Sequence, residues 1–477
     1  MAQIKPIAFW FISALLALPE IVLAQTQVPK YAQAQAQDMQ ARAYMATGDL
    51  RSALSLMREY IAVHPENHAA RLDLVRYLIW SGDYAAAKEV LEADSSAEQS
   101  SEGQELLANL LAWGGRIDGA LETNAPLLQA TPDNFLVNYN QAVALRQSDQ
   151  PDTALPYVEA VKRLLPDSKD ARDLERATQI WTDSFITLDY NRSGDSDKLD
   201  TFRPTLRSEI AYNEELRFTT ELGHWDYRAP TSGPFAPVNG GNSISENYGL
   251  LGLRYAPSLR TELFGAAGYS SIDEDGEALW RFGTNYRAND DWRFRLWADH
   301  GRVAISPRSL SLGLTLDGVV AQARWTPDLR WTGDVLLRHD RYSDDNNRNA
   351  ADVAIRRAVV RQLGFMLDLG LAGQYISYDS DPGNGYYAPS DYRRFLVTAN
   401  SYFSFTDDVG LAVQGGFGAQ RDETFNAWRS AGDISAELVF GIFSPWELRL
   451  RSAYSNRVQN TGAYDAYYWG MALTHRF

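Results

Sequence analysis

From Phe185 to Phe477 the chain runs in short segments that alternate apolar and polar residues, and the connections between them alternate between tight and long. Alternation with a period of two puts one set of side chains on each face of a strand. Strands are expected to begin near Phe185, Arg203, Glu215, Ser245, Leu259, Glu277, Trp292, Thr315, Arg330, Ala351, Phe365, Asp391, Val409, Ser430, Trp446 and Asp465, sixteen in all. The tight connections read "YNE", "PS", "NDD", "TPDL", Gly364, "TDD" and "SP". Between them come "RSGDSDKLDTF", "RAPTSGPFAPVNGGN", "IDEDG", "VAISPRSLSLGL", "SDDNNRNA", "YDSDPGNGYYAPS", "DETFNAWR" and "RVQNTGAY". An even number of strands with short turns on one rim and long loops on the other predicts a closed outer-membrane barrel. A mean hydropathy of -0.35 is compatible with that, since only half of each strand faces lipid.

Aromatic placement agrees. Trp292, Trp325, Trp331 and Trp446 all stand beside tight turns, as an interfacial girdle requires. In the closing stretch "YWGMALTHRF", Tyr467, Trp469, Met471, Leu473 and His475 share one face. A last strand ending on Phe477 resembles the signal read by the barrel assembly machinery, and it is expected to pair with the first strand and remove the open edge.

The first part of the chain has a different grammar. Lys5, the apolar run from Pro6 to Leu18 and Val22-Leu23-Ala24 read as an export signal over residues 1–24, cleaved after Ala24. Beyond it, "GDLRSAL", "GDYAAAK" and "GRIDGAL" place Gly48, Gly82 and Gly115 at spacings of 34 and 33 residues, each with an alanine five residues on: Ala53, Ala87 and Ala120. A fourth unit keeps Ala154 but has Asp149 in place of glycine, and Pro65, Pro132 and Pro166 close helices in register. This resembles the tetratricopeptide repeat. Glycine makes the tight turn, alanine lets paired helices approach, and proline ends the second helix. About four repeats and a closing helix are expected over 34–180, in the periplasm, with the barrel over 181–477.

A formal charge of -16 argues against nucleic acid as a partner. With no cysteine there is neither a disulfide framework nor a thiolate metal site. No cofactor motif, nucleotide loop or His-Glu-x-x-His pattern appears, and His224, His300 and His339 stand in no nucleophile motif, so no catalytic residue is assigned. Acidic clusters at Asp195, Asp197 and Asp200 and at Asp273, Glu274 and Asp275 lack EF-hand spacing, and no metal is assigned.

Opposite the lipid face, the strands carry Arg293, Arg295, Arg324, Arg338, Asp340, Asp368, Glu437, Glu447, Arg449 and Arg451. These predict a polar, guanidinium-rich lumen. Such groups either bind a passing solute or pair across the barrel and stiffen it, while Trp225, Trp297 and Tyr402 are candidates to stack on sugar rings.

The loop "DPGNGYYAPSDYRRF" carries a more specific pattern. Cellulose-type export barrels have a Gly-Tyr-aromatic-Ser-Pro-x-x-Tyr stretch. Here Gly385, Tyr386, Tyr387, Pro389 and Tyr392 match it, and Ala388 replaces the serine. The chain thus resembles outer-membrane exopolysaccharide porins of the cellulose-export and poly-N-acetylglucosamine type, which join periplasmic repeats to a sixteen-strand barrel. The resemblance implies an exported polysaccharide, a gate at the Tyr386 loop, synthase or export components docking on the repeats, and contact with outer-membrane lipid and lipopolysaccharide. The alternative is a non-transporting anchor or surface receptor.

Overall fold

The computed structural model describes residues 30–425, 427–459 and 462–477. The expected signal segment lies outside the described residues. The chain divides into two compact units, Met1–Val63 and His64–Phe477. In the first, α1 (Lys30–Ala46) and α2 (Leu50–Val63) form one hairpin, with Gly48 at φ 81° in its turn and Ala53 fully buried.

The second unit opens with helices α3 (His68–Ser81), α4 (Tyr84–Glu92), α5 (Ser95–Glu98), α6 (Ser101–Trp113), α7 (Ile117–Ala130), α8 (Phe135–Leu145), α9 (Leu155–Leu164) and α10 (Lys169–Thr182). Gly82 shows how the repeat signature works. At φ 82° it occupies the left-handed region that only glycine adopts cheaply, and its N–H closes α3 onto the Ile79 carbonyl. Asp83 then caps α4 by accepting from the Ala86 N–H at 3.1 Å. Ala87, Ala120 and Ala154 are all buried where paired helices meet.

The barrel follows as β1 (Phe185–Asp195), β2 (Asp200–Ala211), β3 (Leu216–Arg228), β4 (Ser243–Ser258), β5 (Thr261–Ile272), β6 (Asp275–Arg287), β7 (Trp292–Arg302) and, after the short helix α11 (Pro307–Ser311), β8 (Thr315–Trp325). It continues as β9 (Trp331–Tyr342), β10 (Asn347–Gln362), β11 (Phe365–Tyr378), β12 (Tyr392–Thr406), β13 (Val409–Arg421), β14 (Arg429–Phe440), β15 (Trp446–Gln459) and β16 (Gly462–Arg476). Every strand pairs antiparallel with its sequence neighbours, and β16 pairs with β1 from Phe185↔Arg476 to Asp195↔Ala466, which closes the sheet.

Outward faces are apolar. Leu251, Phe282, Leu296, Leu337, Val397 and Phe417 are all exposed, as are Tyr467, Trp469, Met471 and Leu473 on the closing strand. With strands of 11–16 residues, this belt is tall enough to match a bilayer. Trp292 and Trp325 pair across β7 and β8 with ring centroids 6.3 Å apart, beside the short turns.

The loop rim departs from expectation. Strand pairing runs on past the apolar alternation into polar sequence, for example Asn347↔Arg341 and Arg348↔Asp340. The expected loop "IDEDG" is therefore a turn at Asp273 and Glu274, with Asp273 at φ 50°. The long connections are concentrated in residues 229–242, 303–314, 379–391 and 422–428.

Candidate translocation path

The short-turn rim is where the repeats of the second unit meet the barrel. Arg116, just before α7, donates to the Thr326 carbonyl at 2.6 Å and pairs with Asp291 at 2.5 Å, bridging the β8–β9 and β6–β7 turns. The Asp290 carboxylate accepts from the Asp118 and Gly119 N–H groups at 2.9 Å each and so caps α7 from the barrel side. Arg217 on β3 pairs with Asp152 at 2.8 Å, and Arg330 pairs with Glu89 at 3.0 Å. The fourth repeat, where Asp149 replaces glycine, uses its turn for docking. The Asp149 N–H donates to the Leu259 carbonyl and Gln150 to the Ala256 carbonyl.

Within the barrel, most of the charged residues expected inside are ion-paired. Arg324 binds Asp334 at 2.7 Å, Arg338 binds Asp340 at 2.7 Å and Asp299 at 3.3 Å, and Asp368 meets Arg361 at 2.5 Å. Arg449 joins Glu437 at 3.0 Å and also Glu447, which meets Arg476 at 2.9 Å. Arg451 reaches Asp189 at 2.9 Å. Such pairs stiffen a wall at little net gain in stability. Arg293 and Arg295 make no ion pair among the described residues, and Arg295 instead lies over the Trp297 and Phe264 rings at 4.9 and 5.0 Å.

Between these clusters lies a lumen cavity of about 570 Å³ whose walls include Gln322, Gln374, Thr398, Asn400, Gln414 and Ser455. A second cavity, of about 260 Å³, lies at the short-turn end, where Gln147 and Asp149 of the repeats face Arg287, Arg293, Arg295 and Arg324. Burial and the neighbouring Glu262 push the Asp149 carboxyl up to about 6, against the opposing pull of Arg287, Arg293 and Arg254. In the repeats, Trp80, Tyr84, Trp113, Phe135 and Tyr139 line a groove of about 430 Å³.

The long-loop rim is packed across its mouth. Tyr386 stacks on Tyr342 at 4.9 Å and donates to Asp344 at 2.8 Å, while Tyr387 donates to Asp422 at 2.9 Å. Tyr392, fully buried, opens β12 rather than lying in the loop, and it donates to Gln420 at 3.0 Å. The Pro389 carbonyl accepts from the Tyr378 N–H. Gly385, at φ 87°, has its carbonyl bound by the Ser306 hydroxyl at 2.6 Å.

That last contact leads to residues the sequence reading passed over. The connection 303–314 is not an open loop. Ser306 starts α11 with a capping box shared with Ser309, a signal legible in "SPRS". Leu310, 2% exposed, inserts among Tyr227, Ile244 and Ile272 of β3 to β5. Arg308 donates to the Gly383 carbonyl at 2.8 Å, and Arg203 on β2 reaches the Ala304 carbonyl at 3.2 Å. Trp225, a candidate sugar platform from the sequence, is occupied here, with Arg203 over its ring at 4.9 Å and Tyr248 edge-on at 4.7 Å.

The histidines bond local amides and carboxylates: His224 meets Asn247, His300 meets Asp317 and Glu277, and His339 meets Asn349. Two of the acidic clusters' members are committed as well, Asp200 to Arg192 and Asp275 to Arg302. Among the described residues no group of three or more His, Asp or Glu side chains is placed to hold a metal.

With a closed sixteen-strand sheet and helical repeats at its short-turn rim, the fold can be compared directly. The barrel shares its fold with a bacterial polysaccharide outer membrane secretin. That structure superposes with a TM-score of 0.54 at 13% identity, covering 62% of this chain and 99% of the secretin. CdiB from Acinetobacter baumannii (TM-score 0.40, 10% identity, 62% of this chain and 60% of that one) is more distant. So is a BenF-like porin from Pseudomonas fluorescens Pf-5 (TM-score 0.35, 10% identity, 62% and 98%). A tetratricopeptide-repeat family model matches residues 44–110. No curated protein matches the chain by sequence. The secretin likeness and the repeat match together bear out an N-terminal tetratricopeptide-repeat region followed by a sixteen-strand antiparallel barrel.

Proposed function

We propose that this chain is an outer-membrane porin that exports an exopolysaccharide, with its repeats in the periplasm as the docking scaffold for the synthase or export components. The observation that carries the reading is the lumen wall. Amide and hydroxyl side chains, Gln322, Gln374, Thr398, Asn400, Gln414 and Ser455, stand in the wall of the central cavity with Asp334, Asp352, Arg394 and Asp433; Asp334 and Asp433 are paired with arginines, and Asp352 accepts from Gln374. Such a wall offers many weak hydrogen bonds to sugar hydroxyls and no single tight one, which is what a sliding polymer needs. Arg293, Arg295, Arg324, Arg338, Asp340, Asp368, Glu437, Glu447, Arg449 and Arg451 border this path. The loop of Gly385, Tyr386, Tyr387 and Pro389, latched to α11, forms its outer gate, with Tyr392 as the anchor. The aromatic groove at Trp80 and Tyr139 is the surface offered to partners. The chain performs no catalysis in this reading, and polymer growth at the inner membrane supplies the push.

The secretin shares the barrel fold and is described as a polysaccharide secretin; both support the proposal. The packed outer mouth favours a second reading, a closed barrel that only anchors the repeats or displays loops. Secreted and periplasmic polysaccharide measured in a strain lacking the protein, beside its complemented strain, separates the two. Export predicts polymer lost from the medium and gained in the periplasm, whereas an anchor leaves both pools unchanged.

A further inference from the structure

The 260 Å³ cavity at the short-turn end of the lumen has a wall unlike the rest. In register across three adjacent strands stand Arg287 on β6, Arg293 on β7 and Arg324 on β8. One residue row further in, on the same inward face, stand Asn285, Arg295 and Gln322. Like charges directly opposite on neighbouring strands repel, and a sheet keeps such a row only where something offsets it. The flanking two are offset: Arg287 pairs with Asp118 at 2.7 Å and with Asp290 at 3.5 Å, and Arg324 pairs with Asp334. Among the described residues Arg293 between them makes no ion pair, although Asp149 and Asp290 are near enough to act on it, and neither does Arg295 in the next row, which has Glu262 nearby and lies over two aromatic rings.

Among the described residues one carboxylate lines this cavity, that of Asp149, reaching in from the repeats. The amides of Gln147, Asn285 and Gln322 stand around the same space. At other places in the barrel arginines meet carboxylates directly, as at Arg338 with Asp340 or Arg451 with Asp189.

We infer that this cavity is a binding subsite for a carboxylated sugar, and so that the exported polymer contains uronic-acid units. The inference rests on the export reading and adds the charge of the cargo. Arg293 and Arg295 receive the carboxylate, replacing the missing ion-pair partners, and the amides bind ring hydroxyls. The position suits an entry site, where a chain passing between the repeats and the barrel first meets the lumen. Beyond it Arg338, Arg449 and Arg451 are already paired, so the polymer is held at the threshold and released into a wall of weak contacts.

The test uses the full chain purified in detergent micelles at low salt, with tetragalacturonate, maltotetraose and tetraglucosamine as acidic, neutral and basic probes in calorimetric titrations. Tetragalacturonate is expected to bind tightest, to weaken as salt rises, and to lose about tenfold or more in affinity in R293Q/R295Q, while R293K/R295K keeps most of it. Retained heat-modifiable mobility of the variants shows that the barrel is closed. The ranking of the three probes on unaltered protein needs no variant. Tighter binding of maltotetraose or tetraglucosamine overturns the inference, and so does tetragalacturonate affinity unchanged in folded R293Q/R295Q. Both results leave export itself standing; loss of export is read separately, from polymer secretion in cells lacking the protein.

Discussion

Asp290, in the turn between β6 and β7, caps the first turn of α7 by accepting the Gly119 N–H at 2.9 Å, 171 residues away along the chain. A helix in the repeats thus takes its N-terminal cap from the barrel. The same carboxylate accepts from the Asp118 N–H, and Arg116 beside it binds two turns at once.

Removal of this cap should loosen docking without disturbing either fold. Asp290→Ala is expected to cost about 1 kcal/mol, typical of a lost helix cap, and Arg116→Ala a similar amount. Amide hydrogen exchange reads the effect. Protection should fall in residues 117–120 and in the 288–291 turn, with strand protection retained.

The outer mouth should open when its plug is removed. Leu310 and α11 fill the space beside Tyr227 and Ile244, so replacing residues 304–313 by a short Gly-Ser linker is expected to raise single-channel conductance in planar bilayers several-fold. Conductance equal to that of the unaltered chain would place the constriction elsewhere.

Gly385 offers a gentler way to the same state. A methyl group there would stand 2.4 Å from the Ser306 hydroxyl oxygen and 2.7 Å from the Arg308 Cβ, on a backbone already at φ 87°. Gly385→Ala is expected to release the latch and speed proteolysis of residues 379–391 in intact cells. Tyr386→Phe, which removes the bond to Asp344, is expected to do so more weakly, at about 1–2 kcal/mol.

Asp149 should give the docked repeats a pH dependence. Its carboxyl, raised to about 6 by burial and Glu262, holds a proton that the unfolded chain would release near pH 4. Its contribution to stability is therefore fully present below about pH 4, is lost as pH rises through 6, and is constant above that. Over the same range the carboxylate appears beside Arg287, Arg293 and Arg254. Hydrogen exchange in residues 146–154, corrected for intrinsic rate, is expected to increase from pH 4 to 7 in the unaltered chain and to stay flat in Asp149→Asn.

The sheet was legible because each strand carries its own period-two pattern and each tight turn its own residues. Sixteen strands starting within a few residues of their expected positions follow from local chemistry alone. The repeats were legible for the same reason, since Gly82 and Ala87 state a turn and a close approach in seven residues. Strand ends on the loop rim were not legible, because Asn347 to Ala350 pair by register after the apolar pattern has stopped. Nor was the plug. Leu310 is one of three leucines in its loop, and only the curvature of the barrel brings it against Tyr227, 83 residues back along the chain. The contrast between paired Arg451 and unpaired Arg293 was hidden likewise, because it depends on which carboxylate a closed sheet sets opposite.

The central claim is that polymer passes through the lumen, and a photo-cross-linker reads that directly. With p-benzoylphenylalanine in place of Trp297, which faces inward, or of Leu296, which faces outward, cells making labelled polysaccharide are irradiated and the barrel is purified. Label attached at the Trp297 position and absent at the Leu296 position is the expected result. Absence of label from the Trp297 position in cells that still secrete polymer would contradict passage through this barrel.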